Sequence, residues 1–218
     1  MSSYKKILFD LDGTLTASEP GIFACLKHAL RYFGIEEENE DKLRLMIGPP
    51  LGQSFCDMYG FSEQEAAIAL EKYRERYTVT GIFENSVYEG IPELLDTLCK
   101  KGCDCILATS KPEPFAKRIL EHFDIGKYFA YVSAGDMAQK QCEKEDIIRK
   151  ALAGANVADK SQAVMVGDRK YDIIGAKRCG IDSIGVLYGY GDLKELQEAG
   201  ATYIAEQVSD IEKIIFGD

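Results

Sequence analysis

The chain has 218 residues, 46% of them apolar and 28% charged, with a formal net charge of −10 and a pI of about 4.9. That length allows one large domain, or one domain and a lid, with a sizeable core. An acidic surface repels nucleic acid and anionic lipid and so argues against both as partners. It also repels phosphate, so any phosphate site here must bring its own positive charge from a metal, a lysine or helix N-termini.

The seven cysteines are odd in number and form no Cys/His cluster with zinc spacing. They read as reduced thiols of a cytoplasmic protein. The segment MSSYKKILFDLDG has no apolar stretch of the signal-peptide kind, and no window approaches about 18 apolar residues. The expectation is therefore no leader and no membrane span.

Residues 4–10 (YKKILFD) form a short apolar run ending in an acidic loop, the pattern of a buried strand. Residues 18–85 lose strand character. Ile22, Phe23, Leu26, Leu30 and Phe33 recur at helical spacing until Gly34, and Ser62 with Glu65 makes a capping box for a helix carrying Ala66, Ala69, Leu70 and Tyr73. This block reads as an all-helical insert.

From residue 88 strands and helices alternate. Pro92 opens a helix that Gly102 closes. CDCILAT is a strand, Pro112 to Phe123 a helix, YFAYVSA a strand and 143–153 a helix. QAVMVG, DSIGVL and TYIA are strands, with helices at Tyr171 to Cys179, after a cap at Asp192, and at the end. The alternation predicts an α/β fold with a doubly wound parallel sheet. The expected division is a Rossmann-like core of 1–16 and 86–218 with a helical cap of 17–85.

Ligands of such sheets sit at the carboxyl ends of the strands. Four strand ends are polar: Asp10-Leu-Asp12-Gly13-Thr14, Thr109-Ser110-Lys111, the stretch near Asp136, and Gly167-Asp168-Arg-Lys-Tyr-Asp172. In FDLDGTL, Asp10 can attack phosphorus as a nucleophile and Asp12 can protonate the leaving alkoxide, then activate water. Gly13 permits a turn that a Cβ would obstruct. In GDRKYD, Asp172 lies one helical turn beyond Asp168 on the same face. Magnesium favours a few hard oxygens and keeps its waters. Asp10, the Asp12 carbonyl and Asp168 would hold it, with Asp172 completing the acidic site.

Taken together, these motifs resemble the haloacid dehalogenase-like hydrolase superfamily over nearly the whole chain. The two-aspartate form of the first motif is similar to its phosphatase branch, and the insert looks like its type-one helical cap. Phosphoglycolate phosphatase-like and 5′-nucleotidase-like members are the nearest in pattern; IGPPLGQSF and GVLYGYG look like the latter. The resemblance implies that Thr109, with Ser110 and Lys111 beside it, binds the phosphoryl oxygens.

The family's third motif is a lysine. Lys140, Lys144 and Lys150 are the candidates, and Lys144-Glu-Asp-Ile-Ile fits the form in which that lysine opens the helix. Glu19 reads as a first-turn helix residue rather than a ligand. His28 and His122 fall in helical patterns and read as structural. Substrate discrimination is expected in the cap, at the stiff Ile47-Gly48-Pro49-Pro50-Leu51 loop.

The implied activity is magnesium-dependent hydrolysis of a small phosphorylated metabolite through an aspartyl-phosphate. The substrate is phosphoglycolate-like or a nucleoside 5′-monophosphate, and the protein a monomer or weak homodimer. A phosphosugar mutase of the β-phosphoglucomutase type, or a binding module with a vestigial site, are the alternatives.

Overall fold

The computed structural model describes residues 4–138 and 143–217. The chain divides into two units, Met1–Thr16 with Val87–Asp218, and Ala17–Ser86. The first strand, β1, is Lys6–Phe9. The second unit then contributes α1 (Glu19–Tyr32), α2 (Glu40–Arg44), α3 (Leu51–Tyr59) and α4 (Glu63–Tyr77). The first unit resumes with α5 (Ile91–Lys100), β2 (Asp104–Pro112), α6 (Glu113–His122) and β3 (Phe129–Gly135). It continues through α7 (Lys144–Gly154), β4 (Ala163–Gly167), α8 (Lys170–Cys179) and β5 (Asp182–Val186), and ends with α9 (Leu193–Ala199), β6 (Tyr203–Ala205) and α10 (Val208–Phe216).

The six strands form one sheet in the order β3-β2-β1-β4-β5-β6, and every pairing is parallel. This is the expected α/β, Rossmann-like fold. Ile7, Leu8 and Phe9 are all fully buried. Consecutive strand residues face opposite sides, so helices must cover both faces, which is why β1 reads as a continuous apolar run. On one face Leu8, Ile106 and Met165 cluster with Ile147, Ile148 and Ala151 of α7 and Ala176 of α8. Each buried leucine, isoleucine or methionine side chain among them stabilises the unit by roughly 1.5–3 kcal/mol. That packing fixes where α7 and α8 begin, at the same edge as the ends of β1 and β4.

The strand expected to stop at Thr109 runs on to Pro112. Its register with β3 breaks between Thr109 and Pro112, and Pro112 then pairs with Gly135. A Cβ on Gly135 would come within 3.0 Å of the Ser110 carbonyl oxygen, so glycine there lets the irregular segment close against β3. Ser110 and Lys111 therefore belong to a bulged strand end rather than a free loop.

The second unit is helical, as its pattern predicted. Ser62 and Glu65 form the capping box at the start of α4. Ile22, Cys25, Leu26 and Ala29 of α1 are buried, as are Ala66, Ala69 and Tyr73 of α4. Gly21 donates its N–H to the Glu84 carbonyl at 3.0 Å, and Arg76 grips the Glu84 carboxylate through two nitrogens at 2.6 and 2.8 Å. Glu19 opens α1 and accepts from Arg44 at 2.6 Å. Gly48 takes a φ of 107°, and Pro50, at φ −58°, caps α3. Gly48 and Pro49 belong to this unit.

Among the described residues no helix is long and apolar enough to cross a membrane. The six described cysteines are free thiols. Lys140 lies outside the described residues.

Candidate active site

The sheet order puts β1 at the centre, between β2 and β4, so three neighbouring strands end side by side. Phe9 pairs with Leu107 on one flank and with Val166 on the other. Asp10 follows Phe9 directly and donates its N–H to the Val166 carbonyl at 3.0 Å. Thr109 lies two residues beyond Leu107, and Asp168 two beyond Val166. Adjacent parallel strands with a shared start thus deliver Asp10, Thr109 and Asp168 to one edge, where such sheets bind ligands.

Asp10, Asp168 and Asp172 each offer a carboxylate oxygen, and these oxygens lie within 4.8 Å of one another. Asp168 and Asp172 are buried, and Asp10 is 9% exposed. Lys144, the first residue of α7, reaches into the cluster. Its Nζ lies 2.8 Å from Asp10 Oδ1 and 2.8 Å from Asp172 Oδ1, and donates to the Ala108 carbonyl at 3.2 Å. Lys150 lies on the exposed side of the same helix.

The other Asp172 oxygen accepts the Arg169 N–H at 3.1 Å, closing the first turn of α8. Asp168 Oδ1 accepts from the Thr14 hydroxyl at 3.1 Å, and Oδ2 from the Tyr190 N–H at 2.8 Å. Arg169 pairs with Glu195 at 2.9 Å.

Burial dominates the electrostatics. It raises Asp168 well above the usual carboxylate range, and the neighbouring charges of Asp172 and Asp10 push the same way. Burial raises Asp172 to about 6, opposed by the Lys144 ammonium and reinforced by Asp10. Lys144 is pulled down by its own burial, but Asp10 and Asp172 overcome that and hold it above its usual value. Among the described residues the Lys144 ammonium pairs with Asp10 and Asp172, while Asp168 is held by neutral donors, which leaves negative charge in surplus among hard oxygen donors. That donor set fits a magnesium ion.

Asp12 lies apart from the three-carboxylate cluster. Its two oxygens accept from Lys111 Nζ at 2.8 and 2.6 Å, and the lysine side chain is only 6% exposed. Thr109, 2% exposed, accepts the Lys111 N–H on its hydroxyl oxygen at 3.2 Å. Gly13 has a φ of 82°, and a Cβ there would meet the Asp168 carboxylate. Asp136 directly follows β3 and is not one of the clustered carboxylates.

Two features escaped the sequence reading. One is the grip of Lys111 on Asp12. The other is the support of Asp168 by Thr14 and by the segment after β5. The Gly-Tyr-Gly of GVLYGYG, a signal for close backbone approach, could have flagged the second.

A parallel sheet with two aspartates after its central strand, a lysine at a helix start and paired aspartates after β4 is an arrangement suited to phosphoryl-transfer hydrolysis on a doubly wound fold. The family described as haloacid dehalogenase-like hydrolase matches residues 7–186. A 5′-nucleotidase of Pseudomonas aeruginosa is 40% identical over 212 residues, spanning 97% of this chain and 96% of that one. The tyrosine-protein kinase PtkA of Mycobacterium tuberculosis is 37% identical over 199 residues, 91% of this chain and 67% of that one. A phosphoglycolate phosphatase of Vibrio parahaemolyticus is 30% identical over 97% of this chain and 96% of its own. The crystal structure of a predicted phosphatase from Clostridium acetobutylicum superposes with a TM-score of 0.95 at 43% identity, over 100% of both chains.

The chain belongs to the haloacid dehalogenase-like hydrolase family, and it is a phosphatase of that family.

Proposed function

We propose that this phosphatase is magnesium-dependent, that Asp10 is its nucleophile, and that it hydrolyses a small phosphorylated metabolite, with nucleoside 5′-monophosphates as the first choice. The observation that carries the mechanism is the buried set of Asp10, Asp168 and Asp172 around Lys144. The 5′-nucleotidase relative, alike over nearly its full length, supports the substrate choice.

In the first step Asp10 attacks phosphorus and displaces the alcohol, forming an aspartyl-phosphate, while Asp12 delivers a proton to the leaving oxygen. In the second step Asp12 takes a proton from water, which cleaves the acyl phosphate. Lys144 offsets charge on Asp10 and the phosphoryl oxygens, and the Thr109 hydroxyl with nearby N–H groups of Ser110 and Lys111 binds those oxygens. A magnesium ion held by Asp10, Asp168 and the Asp12 carbonyl, with Asp172 behind, would neutralise phosphoryl charge. Both Asp12 oxygens accept from Lys111. An incoming phosphoryl group competes for that ammonium, and Asp12, freed of it, takes up from solvent the proton that it then gives the leaving oxygen.

Transfer to a hydroxyl other than water is the second reading, and the 37% identity to a tyrosine kinase favours keeping it. A mutase would differ in needing a sugar bisphosphate. The intact carboxylate–lysine set argues against a vestigial binding module. A cytoplasmic monomer or weak homodimer is the expected setting.

The test is a panel of phosphometabolites with and without magnesium: nucleoside monophosphates, 2-phosphoglycolate, a hexose 1-phosphate with and without bisphosphate, and p-nitrophenyl phosphate. Radiolabelled ATP alone, followed by alkali- and hydroxylamine-stable label on the protein, tests the kinase reading. Release of phosphate fastest from a nucleotide supports the proposal. No magnesium-dependent release from any ester would overturn it.

A further inference from the structure

The segment Tyr188–Gly191 follows β5 and lies against Asp168 and the Gly13-Thr14 turn. Its backbone presses against that residue from several sides. The Tyr190 N–H donates to Asp168 Oδ2 at 2.8 Å. A Cβ on Gly189 would lie under 3.0 Å from both the Asp168 Cβ and the Gly13 carbonyl oxygen. A Cβ on Gly191 would lie equally close to the Asp168 carbonyl oxygen, and one on Gly13 would strike the Asp168 carboxylate and the Tyr190 ring. Three glycines thus clear the space around one buried aspartate, and no side chain larger than hydrogen fits at any of them without moving it.

The segment is itself anchored. The Tyr188 hydroxyl donates to the Thr14 carbonyl at 3.0 Å, and its ring packs edge-on against Tyr88 with centroids 4.9 Å apart. Thr14 in turn gives its hydroxyl to Asp168 Oδ1 at 3.1 Å. Beyond it, Asp192 caps α9 through the Glu195 N–H at 2.7 Å, and Glu195 holds both Arg169 and the Lys170 N–H. Asp168 therefore has one carboxylate oxygen set by the turn after β1 and the other by the segment after β5. A carboxylate with both oxygens pinned loses little further freedom when it binds a cation, so less of the binding free energy is spent on ordering it.

We propose that Tyr188–Gly191 is a positioning clamp for Asp168, which sets magnesium affinity without contacting the substrate. The proposal rests on the magnesium reading of the site given above. It assigns Gly189 and Tyr188 as positioning residues, acting through Asp168 and the Gly13-Thr14 turn.

Magnesium binding to substrate-free protein is measured by isothermal titration calorimetry, alongside the magnesium concentration for half-maximal turnover and the KM at saturating magnesium. Gly189→Ala is expected to weaken magnesium binding at least about tenfold, in the range seen when the supporting partners of a metal ligand are lost. Half-activation should move in parallel, and KM should shift by less than about threefold, because no phosphate contact is altered. Tyr188→Phe keeps the ring and removes one hydrogen bond, and should weaken binding about fivefold. Tyr203→Phe, at the far edge of the sheet on β6, should change neither value.

If both Gly189→Ala and Tyr188→Phe fold and bind magnesium as the wild type does, the clamp is wrong, whatever happens to turnover. If Gly189→Ala fails to fold, Tyr188→Phe alone decides in the same way. A raised KM at unchanged magnesium affinity would overturn it too, by showing that the segment touches substrate. Wild-type protein that binds no magnesium and turns over fully in EDTA removes the magnesium reading and the clamp together. That result is distinct from failure of the variants alone.

Discussion

Lys111 and Asp12 form a two-pronged ion pair, with Nζ 2.8 Å from one carboxylate oxygen and 2.6 Å from the other. The residue proposed to shuttle the proton is thus held by the end of a neighbouring strand, 99 residues away in sequence. Lys111→Met keeps the stem and deletes the charge. It should lower kcat/KM for alkyl phosphates by about a hundredfold, the low end of what a general acid–base group supplies. p-Nitrophenyl phosphate, whose leaving group needs no proton, should lose less. Steady-state kinetics on both esters check this, and equal losses would mean that Lys111 serves phosphate binding alone.

Asp10→Asn should abolish turnover while leaving the melting temperature near that of wild type. An amide is nearly isosteric but is a poor nucleophile and a weak ligand for a hard cation. In the wild type, beryllium fluoride with magnesium should protect Asp10 as a phosphate mimic would. Turnover of the pure variant at wild-type rate would sink the nucleophile assignment.

Magnesium affinity should rise with pH. Asp168 is raised well above the usual carboxylate range and Asp172 to about 6, burial being the main cause of both. A proton must leave before a carboxylate can bind the ion. The sign for the stability of the metal-free protein is the opposite. The folded value of Asp172 exceeds its ordinary 3.8, so its contribution to the metal-free protein is complete below 3.8 and is lost as pH climbs through about 6. Magnesium offsets that loss. The rise in melting temperature on adding magnesium should therefore grow between about pH 5 and about pH 7.5. Differential scanning fluorimetry with magnesium or EDTA at constant ionic strength measures it. A larger magnesium effect at the acidic end would contradict the assignment.

The fold was legible because parallel strands buried on both faces leave nearly unbroken apolar runs, as in Ile7-Leu8-Phe9 and Ala163-Val164-Met165-Val166. The carboxylates were legible because they stand directly after those runs. What sheet order does to them was not. Strand spacing does not reveal that β1 lies between β2 and β4, nor that Gly135 lets β2 continue in a bulge which aims Lys111 back at Asp12. The support of Asp168 by Tyr190 was hidden for another reason. It runs through a backbone N–H, which every residue type but proline supplies, and only the flanking glycines hint at it.

Lys144 separates two readings of the helix start at α7. Its Nζ meets Asp10, Asp172 and the Ala108 carbonyl, whereas Lys150 is exposed on the same helix. Lys144→Met retains the apolar stem and removes the ammonium that pairs with Asp10 and Asp172. Turnover should fall about a thousandfold, comparable to losing a preorganised group that stabilises transition-state charge. Stability should fall as well, by about 3–5 kcal/mol in metal-free protein, because breaking a buried pair leaves charge without compensation. Magnesium can supply part of the missing positive charge, so the gap in melting temperature between variant and wild type should narrow when it is added. Lys150→Met should change neither rate nor stability appreciably. Thermal melts with magnesium and with EDTA, beside kinetics for both variants, test each part separately. Wild-type turnover in Lys144→Met would show that α7 has been given the wrong lysine. A melting gap that stays fixed on adding magnesium would show that the ion does not share the space around Asp10 and Asp172.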